Sequence, residues 1–170
     1  MTYPQDFSDQ GAGLGPQTIL RLRQIVLARR NGRDIQAIVL ACGLGPDKTE
    51  YPRQRRPFSE MMKDWLVAEG TFQADMIHCS MDHTPWNCIE VTLETIRMVR
   101  EKKLPGNILV VSTGYHLYPR MWTTWVLICG GKKEWRLAFF PAWEGTYDIL
   151  HELLGTIKYI PLALWHRWRC

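Results

Sequence analysis

The chain has 170 residues, 46% of them hydrophobic and 22% charged, which suits one globular domain with a buried core and excludes disorder over most of its length. Its formal net charge of +4 comes partly from two arginine clusters, Arg21, Arg23, Arg29, Arg30 and Arg33, then Arg53, Arg55 and Arg56. Such clusters either face an anionic partner or are solvated faces, the commoner case. The five cysteines are odd in number and without CxxC spacing, so free thiols in a reducing, cytoplasmic setting are expected. No secretory signal opens the chain, and no stretch approaches the roughly 20 apolar residues of a membrane span.

Residues 1–16 are polar and Gly-rich and read as a loose N-terminal arm. From Gln17 to Arg30, Ile19, Leu20, Leu22, Ile25, Val26 and Leu27 recur at helical steps between arginines, and Asn31-Gly32 ends the helix. Ile35 to Cys42 reads as a buried strand, followed by a long loop, Gly43 to Pro57. A P-loop is excluded there, because its glycines would fall at Cys42 and Asp47. Phe58 to Glu69 has helical spacing and stops at Gly70; Asp75 to Cys79 reads as a short strand. Thr84 is placed as an N-cap, with Pro85 opening a helix to about Lys103.

Ile108 to Val111 is an apolar run too short for a helix, which fits a strand covered on both faces. Ser112, Thr113, Tyr115, His116, Tyr118 and Arg120 then follow within nine positions. Pro119 to Cys129 reads as a buried helix, Trp135 to Phe140 as a last strand, and Tyr147 onward as a helix disturbed at Pro161. Leu162 to Cys170 is an aromatic, basic tail that could lie on a membrane surface, although packing across the domain is the commoner outcome. Strands and helices alternate, so the expected class is α/β with a mostly parallel sheet, and ligands bind such sheets beyond the carboxyl ends of the strands.

Four pieces together resemble the YdcF-like family, the group of ElyC, SanA and YdcF. They are VLACGLG at Val39 to Gly45, FSEMMKDWLVAEG with Glu60, SMDHTPWNCIE at Ser80 to Glu90, and VVSTGYHLYPRM at Val110 to Met121. The resemblance spans about Arg21 to Pro161 and implies a Rossmann-like three-layer sandwich over residues 17–161. The family's Gly-rich first strand is not legible here, where only Gly11 to Gly15 stands. The resemblance implies a nucleotide-like ligand, with S-adenosylmethionine the named candidate, and no secure reaction. It matches shared polar positions at Glu60, Thr84, Asn87, Tyr115, His116 and Arg120.

The expected site therefore joins His116 as acid or base and Glu60 as its carboxylate partner to Gly43, Thr84, Asn87, Ser112, Tyr115 and Arg120 as ligand contacts. Imidazole changes charge near neutral pH, and a guanidinium grips phosphate with two parallel hydrogen bonds. Plainer readings stand beside these. Glu60 suits a helix start, Thr84 and Asn87 suit caps, Arg120 suits an ion pair, and a half-buried His needs no function. His78, Cys79, His83 and Cys88 are not expected to bind metal, because strand alternation turns the first two apart. Cys42 reads as a buried thiol without a base. The rival function is an accessory factor in cell-envelope or peptidoglycan assembly with peripheral membrane contact. RNA binding lacks aromatics beside a basic stripe. Ligand identity, reaction and oligomeric state stay open.

Overall fold

The structure, a computed structural model, describes residues 14–41, 57–80, 87–142 and 149–167, without the side chains of Gln17, Thr113, Tyr115, Pro119 and residues 149–152. The expectations for the N-terminal arm, Cys42, Gly43, His83, Thr84 and the end of the tail fall wholly or largely outside them. The architecture is mixed α/β. In chain order it comprises α1 (Pro16–Arg30), β1 (Ile38–Leu40), α2 (Phe58–Ala68), β2 (Ile77–Cys79), α3 (Cys88–Glu101), β3 (Asn107–Thr113), a helical turn α4 (Gly114–His116), α5 (Trp122–Cys129), β4 (Arg136–Ala142) and α6 (Ile149–Arg167).

The strands form two parallel pairs. β1 lies on β2 with Ile38 opposite Ile77 and Leu40 opposite Cys79. β3 lies on β4 over seven residues, from Asn107 opposite Arg136 to Thr113 opposite Ala142. Among the described residues no ladder joins the pairs. Each pair carries its own apolar cluster. Around β1 and β2 gather Leu22 and Val26 of α1, Phe58, Met62 and Leu66 of α2, and Phe72. Around β3 gather Ile89, Ile96 and Val99 of α3, Trp125 and Ile128 of α5, with Leu117, Trp135 and Ala163. α1 bridges the pairs, lying against β3 and β4 as well as α2, and α3 reaches from β1 to α5 and α6.

Several element ends shift from their expected places for local reasons. α3 starts at Cys88, three residues after Pro85, because Asn87 Oδ1 accepts the N–H groups of Ile89 and Glu90 at 3.0 Å each. Such a cap contributes about 1 kcal/mol. The segment expected to continue as helix from Pro119 holds a wide π turn, Leu117–Met121, in which Tyr118 is extended at φ −117° and ψ 114°. Tyr118 precedes a proline, a position at which the helical conformation is disfavoured and the extended one preferred. The kink separates His116 from α5. Fully buried Leu117 pins it to the core.

A buried polar knot ties α2, β2 and α3. Ser80 donates its hydroxyl to Glu94 Oε1 at 2.7 Å, and Ser59 donates its own to the Ser80 carbonyl at 2.9 Å. Arg97 closes on both Glu94 oxygens at 2.7 and 2.8 Å, which raises the guanidinium pKa.

On β2, burial first and then Lys102 and Lys63 hold the His78 imidazole below its ordinary value of 6.5. The unfolded chain therefore binds the extra proton more readily, so this contribution to stability is complete above about pH 6.5 and declines as pH falls through that value. Urea midpoints of the wild type are expected to fall between pH 7.5 and 5.5, and those of His78→Gln to fall less.

Candidate functional site

Strands β1, β3 and β4 all border a cavity of about 860 Å³. β1 contributes Ile38, Val39 and Leu40, and β3 contributes Asn107, Ile108, Leu109, Val111 and Ser112. Apolar side chains of α1, α2 and α3 line much of the remainder, including Leu22, Phe58, Met62 and Val91. Among the described residues, the charged groups on this wall are four arginines, Arg21, Arg33, Arg120 and Arg136, against a single acid, Asp34. Apolar walls lower the local dielectric and strengthen the attraction of such a wall for anions.

Four of the expected site residues share this cavity: Asn87, Ser112, His116 and Arg120. Their positions follow from the chain. β3 delivers buried Ser112 near its end, the turn α4 carries His116 to the first residue of α3, and Arg120 follows the kink at Tyr118. Asn87 lines the cavity while its side-chain oxygen caps α3, so the plainer reading of this residue also holds. Glu60 does not line the cavity. It stands in the first turn of α2, where the helix dipole favours a carboxylate. Of Tyr115 only the backbone is described, and Gly43 and Thr84 lie outside the described residues.

Arg120 is buried at 4% exposure, so it is not a surface group. Its guanidinium carbon lies 5.7 Å from the Tyr159 ring centroid, a cation–π distance. The same group rests on Gly155 of α6, where a β-carbon would overlap three guanidinium atoms. Alanine at Gly155 gains about 1 kcal/mol of helix propensity but must displace a buried cation, an overpacking cost of about 1–3 kcal/mol. Gly155→Ala is expected to lose about 1 kcal/mol in the wild type and to gain up to about 1 kcal/mol in Arg120→Ala. Urea unfolding of the four proteins checks this reversal of sign.

Sequence reasoning weighed Cys88 only as a metal ligand and missed its place beside His116. Cys88 is the first residue of α3, it lines the cavity, and its Sγ lies 3.4 Å from His116 Nε2. The two are 28 positions apart. Cys79 donates to the Ser59 carbonyl at 3.3 Å, burial pushes its thiol pKa up, and Cys129 is buried at 1% exposure. Neither is among the cavity's lining residues.

Comparison of the chain with protein-family models, with curated proteins and with solved structures finds no match. Among the described residues, no helix is long and apolar enough to cross a membrane.

Proposed function

We propose that the protein binds a phosphate-bearing, nucleotide-like small molecule in the cavity bordered by β1, β3 and β4. The observation that carries this reading is the cavity's lining, in which Arg21, Arg33, Arg120 and Arg136, from four separate segments, accompany a single acid, Asp34, among the described lining residues. A lining of this kind, cationic among apolar side chains, is suited to an anionic ligand, and the apolar side chains of β1 and α2 offer a surface for a base. The end of the cavity that holds Ser112, His116 and Arg120 lies at the carboxyl end of β3, where a Rossmann-like sandwich holds its ligand, in keeping with the YdcF-like resemblance. S-adenosylmethionine, with one carboxylate and two cationic centres, suits four arginines less well than a nucleoside diphosphate.

Titration calorimetry with ADP, adenosine, pyrophosphate and S-adenosylmethionine tests this. ADP is expected to bind more tightly than adenosine, and Arg120→Ala and Arg136→Ala each to weaken it by about 10- to 100-fold, the worth of a hydrogen bond to a charged group. Equal affinity for ADP and adenosine, or unchanged ADP affinity in both variants, rejects the reading.

A second reading, the membrane-facing accessory factor, is favoured by one observation. α6 exposes Leu153, Leu154, Ile157, Leu162 and Trp165, with Lys158 and Arg167 on the same helix. Sedimentation with anionic vesicles distinguishes it: binding lost in Ile157→Asp supports it, and absence of binding removes it.

A further inference from the structure

We propose that Cys88 and His116 are a nucleophilic thiol and its proton acceptor, acting on activated acyl compounds that carry an anionic group; the preference for the anion rests on the cavity reading above. Sγ and Nε2 lie 3.4 Å apart, within reach of proton transfer, and both side chains line the same 860 Å³ cavity. Cys88 opens α3, where the aligned N–H groups of the first turn favour a negative sulfur. Asn87 fixes that turn through its two cap hydrogen bonds, and the Thr92 hydroxyl, donating to the Cys88 carbonyl at 2.8 Å, holds the backbone behind the sulfur. His116 is held on the other side by the short turn between β3 and the kink, below buried Leu117. A Cys–His contact made only for packing would sit closed in the core; this one opens onto a space large enough for a ligand.

In the proposed step His116 carries its proton on Nδ1 and accepts the thiol proton at Nε2. Sγ attacks the carbonyl carbon of an ester or thioester, the bond to the leaving group breaks, and the leaving group departs with the proton from Nε2. A thioester on Cys88 remains. Water then adds to that carbonyl and gives its proton to Nε2, the carboxylic acid leaves, and Sγ recovers the proton. Nothing is oxidised or reduced, and water is the only co-reactant. The arginines of the wall hold the anionic end of the acyl compound.

The test uses p-nitrophenyl succinate, whose far end is a carboxylate, and p-nitrophenyl butyrate, its neutral counterpart of equal length. Mass spectrometry is expected to find one acyl group per chain, mapped to Cys88, with none in Cys88→Ala and at least about 100-fold slower acylation in His116→Asn. Label spread over Cys79, Cys129 and lysines, or a wild-type rate in His116→Asn, overturns the proposal. Circular dichroism melts establish that the variants fold. Should one fail to, alkylation of the wild type by iodoacetamide at pH 7 decides: Cys88 modified ahead of Cys79 supports the pair, and the reverse order overturns it. Equal rates with the two esters leave the thiol pair standing and sink the anion-binding cavity. Tight ADP binding without any acylation of Cys88 does the opposite.

Discussion

Gly106→Ala is expected to lower the melting temperature by roughly 6–12 °C, the equivalent of about 3 kcal/mol for a domain of this size. A β-carbon at Gly106 would overlap the carbonyl oxygen of Glu134, a backbone atom that cannot rotate away. Retreat is blocked on both sides. The Gly106 carbonyl accepts the Arg136 N–H at 2.9 Å, directly before the β3–β4 ladder begins. Glu134 is held by Arg100 of α3 at 2.7 Å, a contact that also keeps its carboxyl below the usual carboxylate range. Trp135, buried beneath Arg100, fills the space beside the glycine. Scanning calorimetry measures the loss. Gly32→Ala is the control: nothing lies within 4 Å of its added carbon, so only the strain of φ +82° remains, about 1–2 kcal/mol.

Glu94→Ala is expected to cost about 2–3 kcal/mol in urea unfolding, and Glu94→Gln about half of that. Glu94 is 6% exposed and accepts from Ser80, itself at 1%, so truncation strands a buried hydroxyl and opens a void. The Arg97 contribution is small, because that side chain is 41% exposed and solvent screens the pair. The glutamine side chain keeps the volume and one acceptor, which is why its loss is smaller. A double-mutant cycle with Ser80→Ala is expected to return a coupling of about 1 kcal/mol, which places the cost at the hydroxyl contact rather than at the ion pair.

Much of the element order was legible because it depends on local pattern. The repeats in α1, α2 and α3, the stop at Gly70 and the apolar run of β3 each follow from spacing that a neighbouring segment reinforces. Strand lengths were less legible: the apolar run from Ile35 to Cys42 yields three residues of strand, since hydrophobicity marks burial and not pairing. The cap of α3 was ambiguous, with Thr84-Pro85 and Asn87 both carrying start signals, and the hydrogen bonds of Asn87 set where the described helix begins. The cavity was half legible. Ser112, His116 and Arg120 stood out as polar residues after a strand and Asn87 through the YdcF-like resemblance, whereas Arg21 and Arg33 looked like ordinary surface charge and Arg136 carried no signal. No local signal pairs Cys88 with His116, because the contact depends on how α3 packs beside the end of β3.

The division of the apolar interior into two clusters, one around each strand pair, has a further consequence. Each cluster can loosen while the other keeps most of its own packing, so native-state hydrogen exchange should resolve two tiers of amide protection rather than one. A molecule seated across the hollow would touch both halves and bind neither when they part. It would act as a thermodynamic rivet, merging the two tiers and making occupancy visible at amides far from any atom it contacts.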